Sequence, residues 1–222
     1  MKTSMTRHFW AALLVCLILT GLSDANARKK KPTGSSDFSY YLLVMSYAPD
    51  FCAQPQGKKD PQECGTGRHI SFVVHGLWPQ GENSRGPENC GPASPVPKDV
   101  IRATLKYIPT ESLIQHEWAA HGTCSGLSAA DYFGTLAKAR DSVTLPPDLA
   151  PSQQMQLGTS EIESKLAAAN PSFPKEAFRV SCYNDRELQE IRVCLNKDLS
   201  PRGCGPSAGQ CSASTVTLLP VR

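Results

Sequence analysis

The sequence is poor in histidine, tryptophan and methionine, with five, three and four of them among 222 residues. Other patterns are missing altogether. No two cysteines form a C-x2-C pair, which removes the commonest structural zinc frameworks. There is no N-x-S/T sequon, which points mildly towards a bacterial periplasmic or secreted origin. Charge of either sign is not in large excess: the net value is +3. A protein coating duplex nucleic acid is normally more basic, whereas an anionic substrate held at one local site remains compatible. Beyond the first residues, no apolar run is long enough to span a bilayer, and no internal repeat is visible.

The N-terminus reads as an export signal. Lys2 and Arg7 give a basic start, Trp10 to Leu22 is mostly apolar, and Ala25-Asn26-Ala27 fits a small-x-small cleavage site. A signal peptide is therefore expected over 1–27, rather than an uncleaved anchor. Residues 28–36, opening Arg28-Lys29-Lys30-Lys31, read as a basic, polar, disordered lead-in. The remainder, 37–222, suits one domain with a sizeable core. Without Lys2, Arg7 and Asp24 the net charge is about +2. Cys16 lies in the signal. Cys52, Cys64, Cys90, Cys124, Cys182, Cys194, Cys204 and Cys211 remain. An even number in an exported chain implies four disulfides. Eight cysteines allow on the order of a hundred pairings, so spacing alone fixes none.

Strands are expected at Tyr40 to Tyr47 and at Ile70 to His75, with Gly76 and Pro79 ending the second and leaving Trp78 in a loop. Gly81 to Pro97 reads as a long loop holding Cys90. Helical spacing follows at Val100, Ile101, Leu105 and Ile108, then from Thr110 towards His121, with Gly122 as the stop. Capping boxes are expected at Ser128-Ala129-Ala130-Asp131 and Ser160-Glu161-Ile162-Glu163, and Asn170-Pro171 ends the second of these helices. Strands return at Phe178 to Tyr183, Leu188 to Leu195 and Thr215 to Val221. Strands, then helices, then strands indicate α+β, with a mainly antiparallel sheet flanked by helices.

Three of the five histidines fall in two short runs, His75-Gly76-Leu77-Trp78-Pro79 and His116-Glu117-Trp118-Ala119-Ala120-His121-Gly122-Thr123-Cys124. Imidazole titrates nearest neutrality, so gathered histidines point to proton transfer or anion binding. Glu117 and His121 are four apart and share a helical face. On that face the carboxylate is expected to orient His121 and raise its pKa. His116 and His121 are five apart, about 140° around a helix. The zinc-peptidase signature H-E-x-x-H is thereby spoiled. Each histidine alone could be a satisfied core residue, and Trp78 could be core packing or a platform for stacking a base.

At these residues the chain resembles the ribonuclease T2 family. Phe72 to Pro79 and His116 to Cys124 look like that family's two active-site segments. Leu42 to Cys52 is similar to its first core strand, and Leu188 to Asp198 to its C-terminal strand. The resemblance implies an exported endoribonuclease, periplasmic or secreted, that needs no metal or cofactor. It would act on single-stranded RNA, not DNA, as a monomer free of the membrane once the signal is cleaved. The 2′-hydroxyl would attack the adjacent phosphorus to give a 2′,3′-cyclic phosphate, with little base selectivity. His121 would be the base and His75 the acid. His116 would grip the phosphate, and Glu117 would support the phosphorane-like state or hold a histidine protonated. Trp78 would stack on a base and Gln80 would contact one. The implied disulfides are Cys52–Cys64, Cys90–Cys124, Cys182–Cys211 and Cys194–Cys204.

Three places depart from the family pattern. Ala120 stands where many members carry lysine, so a cation near the phosphate is missing. Gln80 stands where purine-preferring members often carry Asp, and Ser46-Tyr47 replaces a frequent Gln-Trp, so base preference does not carry over. Ala120 also motivates the competing reading, a non-catalytic exported binding module on the same scaffold.

Overall fold

The computed structural model describes residues 37–221. The expected signal peptide, 1–27, and the lead-in, 28–36, lie outside them. The centre is a six-stranded sheet of β1 (Tyr40–Tyr47), β2 (Phe72–Gln80), β3 (Met155–Gly158), β4 (Phe178–Tyr183), β5 (Glu187–Leu195) and β6 (Thr215–Leu218). The strands run in the order β2-β1-β5-β6-β3, and β4 pairs with β5 as well. Every pairing is antiparallel except the short β5–β6 contact. This is the expected α+β class.

β1 is apolar nearly throughout because both of its faces are covered. Tyr41, Leu43, Met45 and Tyr47 belong to the main core. That core also takes residues from α3 (Lys98–Thr104), α4 (Glu111–Ala120), α5 (Ala129–Asp141) and α6 (Thr159–Ala169). Tyr40, Leu42 and Val44 point the other way, into a smaller cluster with Cys194 and Ala208. Two short helices, α1 (Ala48–Ala53) and α2 (Pro61–Cys64), follow β1. Among the described residues no helix is long and apolar enough to cross a membrane. Cys52–Cys64, Cys90–Cys124, Cys182–Cys211 and Cys194–Cys204 are all bonded, as the resemblance implied.

Several boundaries differ from the sequence reading. β2 does not stop at Gly76 but runs on to Gln80, so Trp78 is a strand residue. The reason is tertiary: β1 offers a partner along the whole length, and β2 is an edge strand, where proline is tolerated. Ser160 does not cap α6. The helix starts at Thr159 with Gly158 as its N-cap, because Gly158 is held in the β3–β6 ladder and the Thr159 amide donates to Ser214. β3 was not expected; its Met-Gln-Leu-Gly sequence lacks β-branched residues and depends on β6 for pairing. β6 ends at Leu218, ahead of Pro220. By contrast, Thr110 and Ser128 cap α4 and α5 through their side-chain oxygens, as their positions suggested.

Candidate active site

The site begins with a register shift. Val44 faces Gly76, but its neighbour Met45 faces Val74, so His75 is the extra residue of a β-bulge. A bulge re-aims a side chain at the point where alternation would send it to the other face. Across β1, Leu42 faces Trp78, Val44 faces both Gly76 and Arg192, and Ser46 faces Glu190. Directly opposed residues share a face, so His75 meets Trp78 and Glu190 there. Its ring lies edge-on to Trp78, with centroids 5.2 Å apart.

α4 brings the second segment onto this surface. Glu117 is fully buried. Its Oε2 accepts a 2.9 Å hydrogen bond from Trp78 Nε1. Its Oε1 has no hydrogen-bond partner and lies 3.6 Å from His75 Nε2. Burial pushes the carboxyl up to about 7, against the opposing pull of His75 and Trp78. Gly76 makes this arrangement possible: a Cβ there would overlap Glu117 Oε2 and come within 2.5 Å of Trp78 Nε1.

His121 sits at the C-cap of α4, its amide donating to the Glu117 carbonyl. Its ring stacks on Trp78 at 5.0 Å and 26°. Nδ1 is buried without a partner. Burial, followed by the nearby charges of His75 and His116, lowers the pKa to about 4. Here the sequence reading needs correcting. Glu117 neither orients His121 nor raises its pKa, but engages Trp78 and His75. Equal spacing on a helix puts side chains on one face only while the helix continues, and His121 leaves helical geometry at φ −120°.

His75 has the opposite poise. Burial disfavours its charge, but the Glu190 hydrogen bond and the carboxylates of Glu117 and Glu190 outweigh that and raise its pKa. Two imidazoles pressed on one indole therefore favour different protonation states, the condition for paired acid and base work.

His116 is exposed on the solvent side of α4. Ala120 is buried, and its carbonyl accepts from the amide of Asn89, so the loop between β2 and α3 lies over the position where lysine was missed. The same loop is tied down by Cys90–Cys124 and by the Cys90 amide donating to Thr123 Oγ1. Gln80 is buried, and its Oε1 accepts from the Gly86 amide at 3.2 Å. It braces this loop and shares no hydrogen bond with the histidines.

Sequence reasoning missed Glu190 and Arg192. The available signal was Glu190 and Arg192 at alternate positions around Ile191 in β5, which puts both on one face. Among the described residues, the one convergent set of potential metal ligands is Cys182, Asp185 and Cys211. Its two sulfurs are joined in a disulfide.

Comparison with known proteins gives the family. A protein of Haemophilus influenzae described as a probable ribonuclease is 30% identical over 177 residues, covering 74% of this chain and 60% of that protein. The match thus spans less than two thirds of that relative. A ribonuclease of Aeromonas hydrophila is 29% identical over 178 residues, covering 74% of each. The solved structure of an RNase-related protein from Calystegia sepium shares the fold, with a TM-score of 0.66 at 20% identity, over 82% of this chain and 98% of that one. The model of the Ribonuclease T2 family matches residues 38–204, which contain both histidine segments and the strands β1, β2 and β5; the chain belongs to the ribonuclease T2 family of enzymes.

Proposed function

We propose that this protein is an endoribonuclease that cleaves single-stranded RNA by metal-free transphosphorylation, with His121 as the base and His75 as the acid. The observation that carries the reading is the pair of imidazoles packed on Trp78, His75 edge-on and His121 stacked, with Glu117 hydrogen-bonded to the same indole. In the first step His121 takes the 2′-OH proton as the 2′-oxygen bonds to phosphorus. The bond from phosphorus to the 5′-oxygen breaks, and His75 protonates that oxygen. The product is a 2′,3′-cyclic phosphate, and the two histidines exchange roles when water opens it.

The direction of transfer is supported by the opposite poise of the two rings, lowered at His121 and raised at His75. His116, exposed beside them, would hold a phosphate oxygen. Glu117 carries a proton near neutrality more readily than an ordinary carboxyl. It would donate to the phosphorane-like state, or keep His75 charged across the 3.6 Å gap. The half-buried Trp78 ring would offer its remaining surface to a base. Gln80 would reach a base only by releasing Gly86, which fits low base selectivity.

Export to a periplasmic or extracellular space, with a signal peptide over 1–27 and a lead-in over 28–36, completes the proposal. Four disulfides support an oxidising compartment. The test is cleavage of defined dinucleotides. His75→Ala and His121→Ala are each expected to lower kcat/KM by about 10²–10⁴-fold. Near-normal rates in both would refute the assignment. Wild-type protein that binds RNA without cutting it would favour the non-catalytic module.

A further inference from the structure

Behind His75 lies a buried relay that the proposed chemistry does not use. His75 Nδ1 and Glu190 Oε1 are 2.9 Å apart, bridging from β2 to β5 over β1 at the level of Ser46, a short side chain. Glu190 is 2% exposed. Its other oxygen is gripped by Arg192 through Nε at 2.9 Å and Nη2 at 2.8 Å. Arg192 in turn donates from Nη1 to the Ala208 carbonyl at 2.7 Å. The next residue, Gly209, has φ +69°, and a Cβ there would come within 2.6 Å of Nη1. Ala208, Arg192, Glu190 and His75 thus form one continuous hydrogen-bonded chain. A buried carboxylate with both oxygens engaged costs folding energy unless its partners stay in place, so the relay is organised around one orientation of the imidazole.

We infer that Glu190, locked by Arg192, is a positioning residue that holds His75 with its proton on Nδ1 and its Nε2 turned towards Glu117 and the reacting phosphate. A carboxylate on one ring nitrogen fixes which nitrogen is left for chemistry and stabilises the protonated ring. This rests on the reading of His75 as the proton donor. The charged and titratable groups around that ring come from three elements. Glu190 and Arg192 lie on β5, Glu117 on α4 with His121 at its end, and Glu63 of α2 acts at longer range. Only Glu190 hydrogen-bonds to Nδ1, so it alone dictates the tautomer.

The experiment is the pH profile of kcat and KM for Glu190→Gln on a defined dinucleotide, with His75→Ala measured beside it. The expected result is a fall in kcat of about ten- to a hundredfold with KM little changed. The alkaline limb should move to lower pH, and the acidic limb, set by His121, should stay. Combining Glu190→Gln with His75→Ala should cost no more than His75→Ala alone. A uniform loss at every pH, with the alkaline limb unmoved, would overturn the positioning role. A normal rate in His75→Ala would instead overturn the functional reading beneath it. If Glu190→Gln does not fold, ¹⁵N spectra of the imidazoles in the unmodified protein decide the matter. The inference predicts the Nδ1–H tautomer for neutral His75, and an Nε2–H tautomer would overturn it.

Discussion

Replacing Gly76 with alanine tests how tightly the site is built. In wild type the space beside the Gly76 Cα holds the hydrogen bond from Trp78 Nε1 to Glu117 Oε2. A methyl group there overlaps both atoms. Neither can retreat cheaply, since Glu117 is fully buried and the Trp78 ring is stacked on His121. Overpacking a tight interior typically costs about 1–3 kcal/mol. Breaking the hydrogen bond and leaving buried polar atoms without a partner costs about 1–3 kcal/mol more. Alanine's lower chain entropy in a strand returns roughly 0.5 kcal/mol. Gly76→Ala should therefore lose about 2–5 kcal/mol in urea unfolding. Displaced Glu117 should also let His75 and Trp78 shift, lowering dinucleotide kcat/KM by about 10²-fold even where the variant is fully folded. Stability within about 0.5 kcal/mol of wild type, with an unchanged rate, would refute the packing argument.

Two further outcomes follow from the charges and the covalent ties. Burial raises Asp50, Glu63 and Glu117 to about 7 and His75 also titrates higher, so their stabilising contributions are present at acid pH and fade as pH rises through those values. His121, lowered to about 4, acts oppositely, adding stability above its usual range that is lost as pH falls through about 4. The carboxyls outnumber it, so Tm should be higher near pH 5 than near pH 8, and thermal melts showing the reverse would contradict the burial account. Replacing Cys90 and Cys124 together by serine opens a loop of sequence separation 34. It should cost about 2–4 kcal/mol in denaturant unfolding, and an unchanged midpoint would count against the tie between loop and α4.

The two histidine segments were legible in the sequence because each is contiguous, and so were the caps of α4 and α5, which depend on local spacing. The bulge at His75 was not, since it exists only in the register between β1 and β2. For the same reason β2 was cut short at Gly76 and Trp78 assigned to a loop. Spacing also misled at Glu117, whose partners are Trp78 and His75 rather than His121, because α4 ends beneath the pair. Glu190 stands 115 residues from His75, beyond any local pattern. The disulfide pairs came from family resemblance and not from cysteine spacing.

The central claim is that two histidines, without a metal, move the protons of an internal transesterification. The direct measurement is the end chemistry of products formed from a defined dinucleotide in EDTA. Undiminished cleavage is expected, leaving a 2′,3′-cyclic phosphate and a free 5′-hydroxyl. Activity that disappears in EDTA and returns with zinc, or products ending in 3′-hydroxyl and 5′-phosphate, would contradict it.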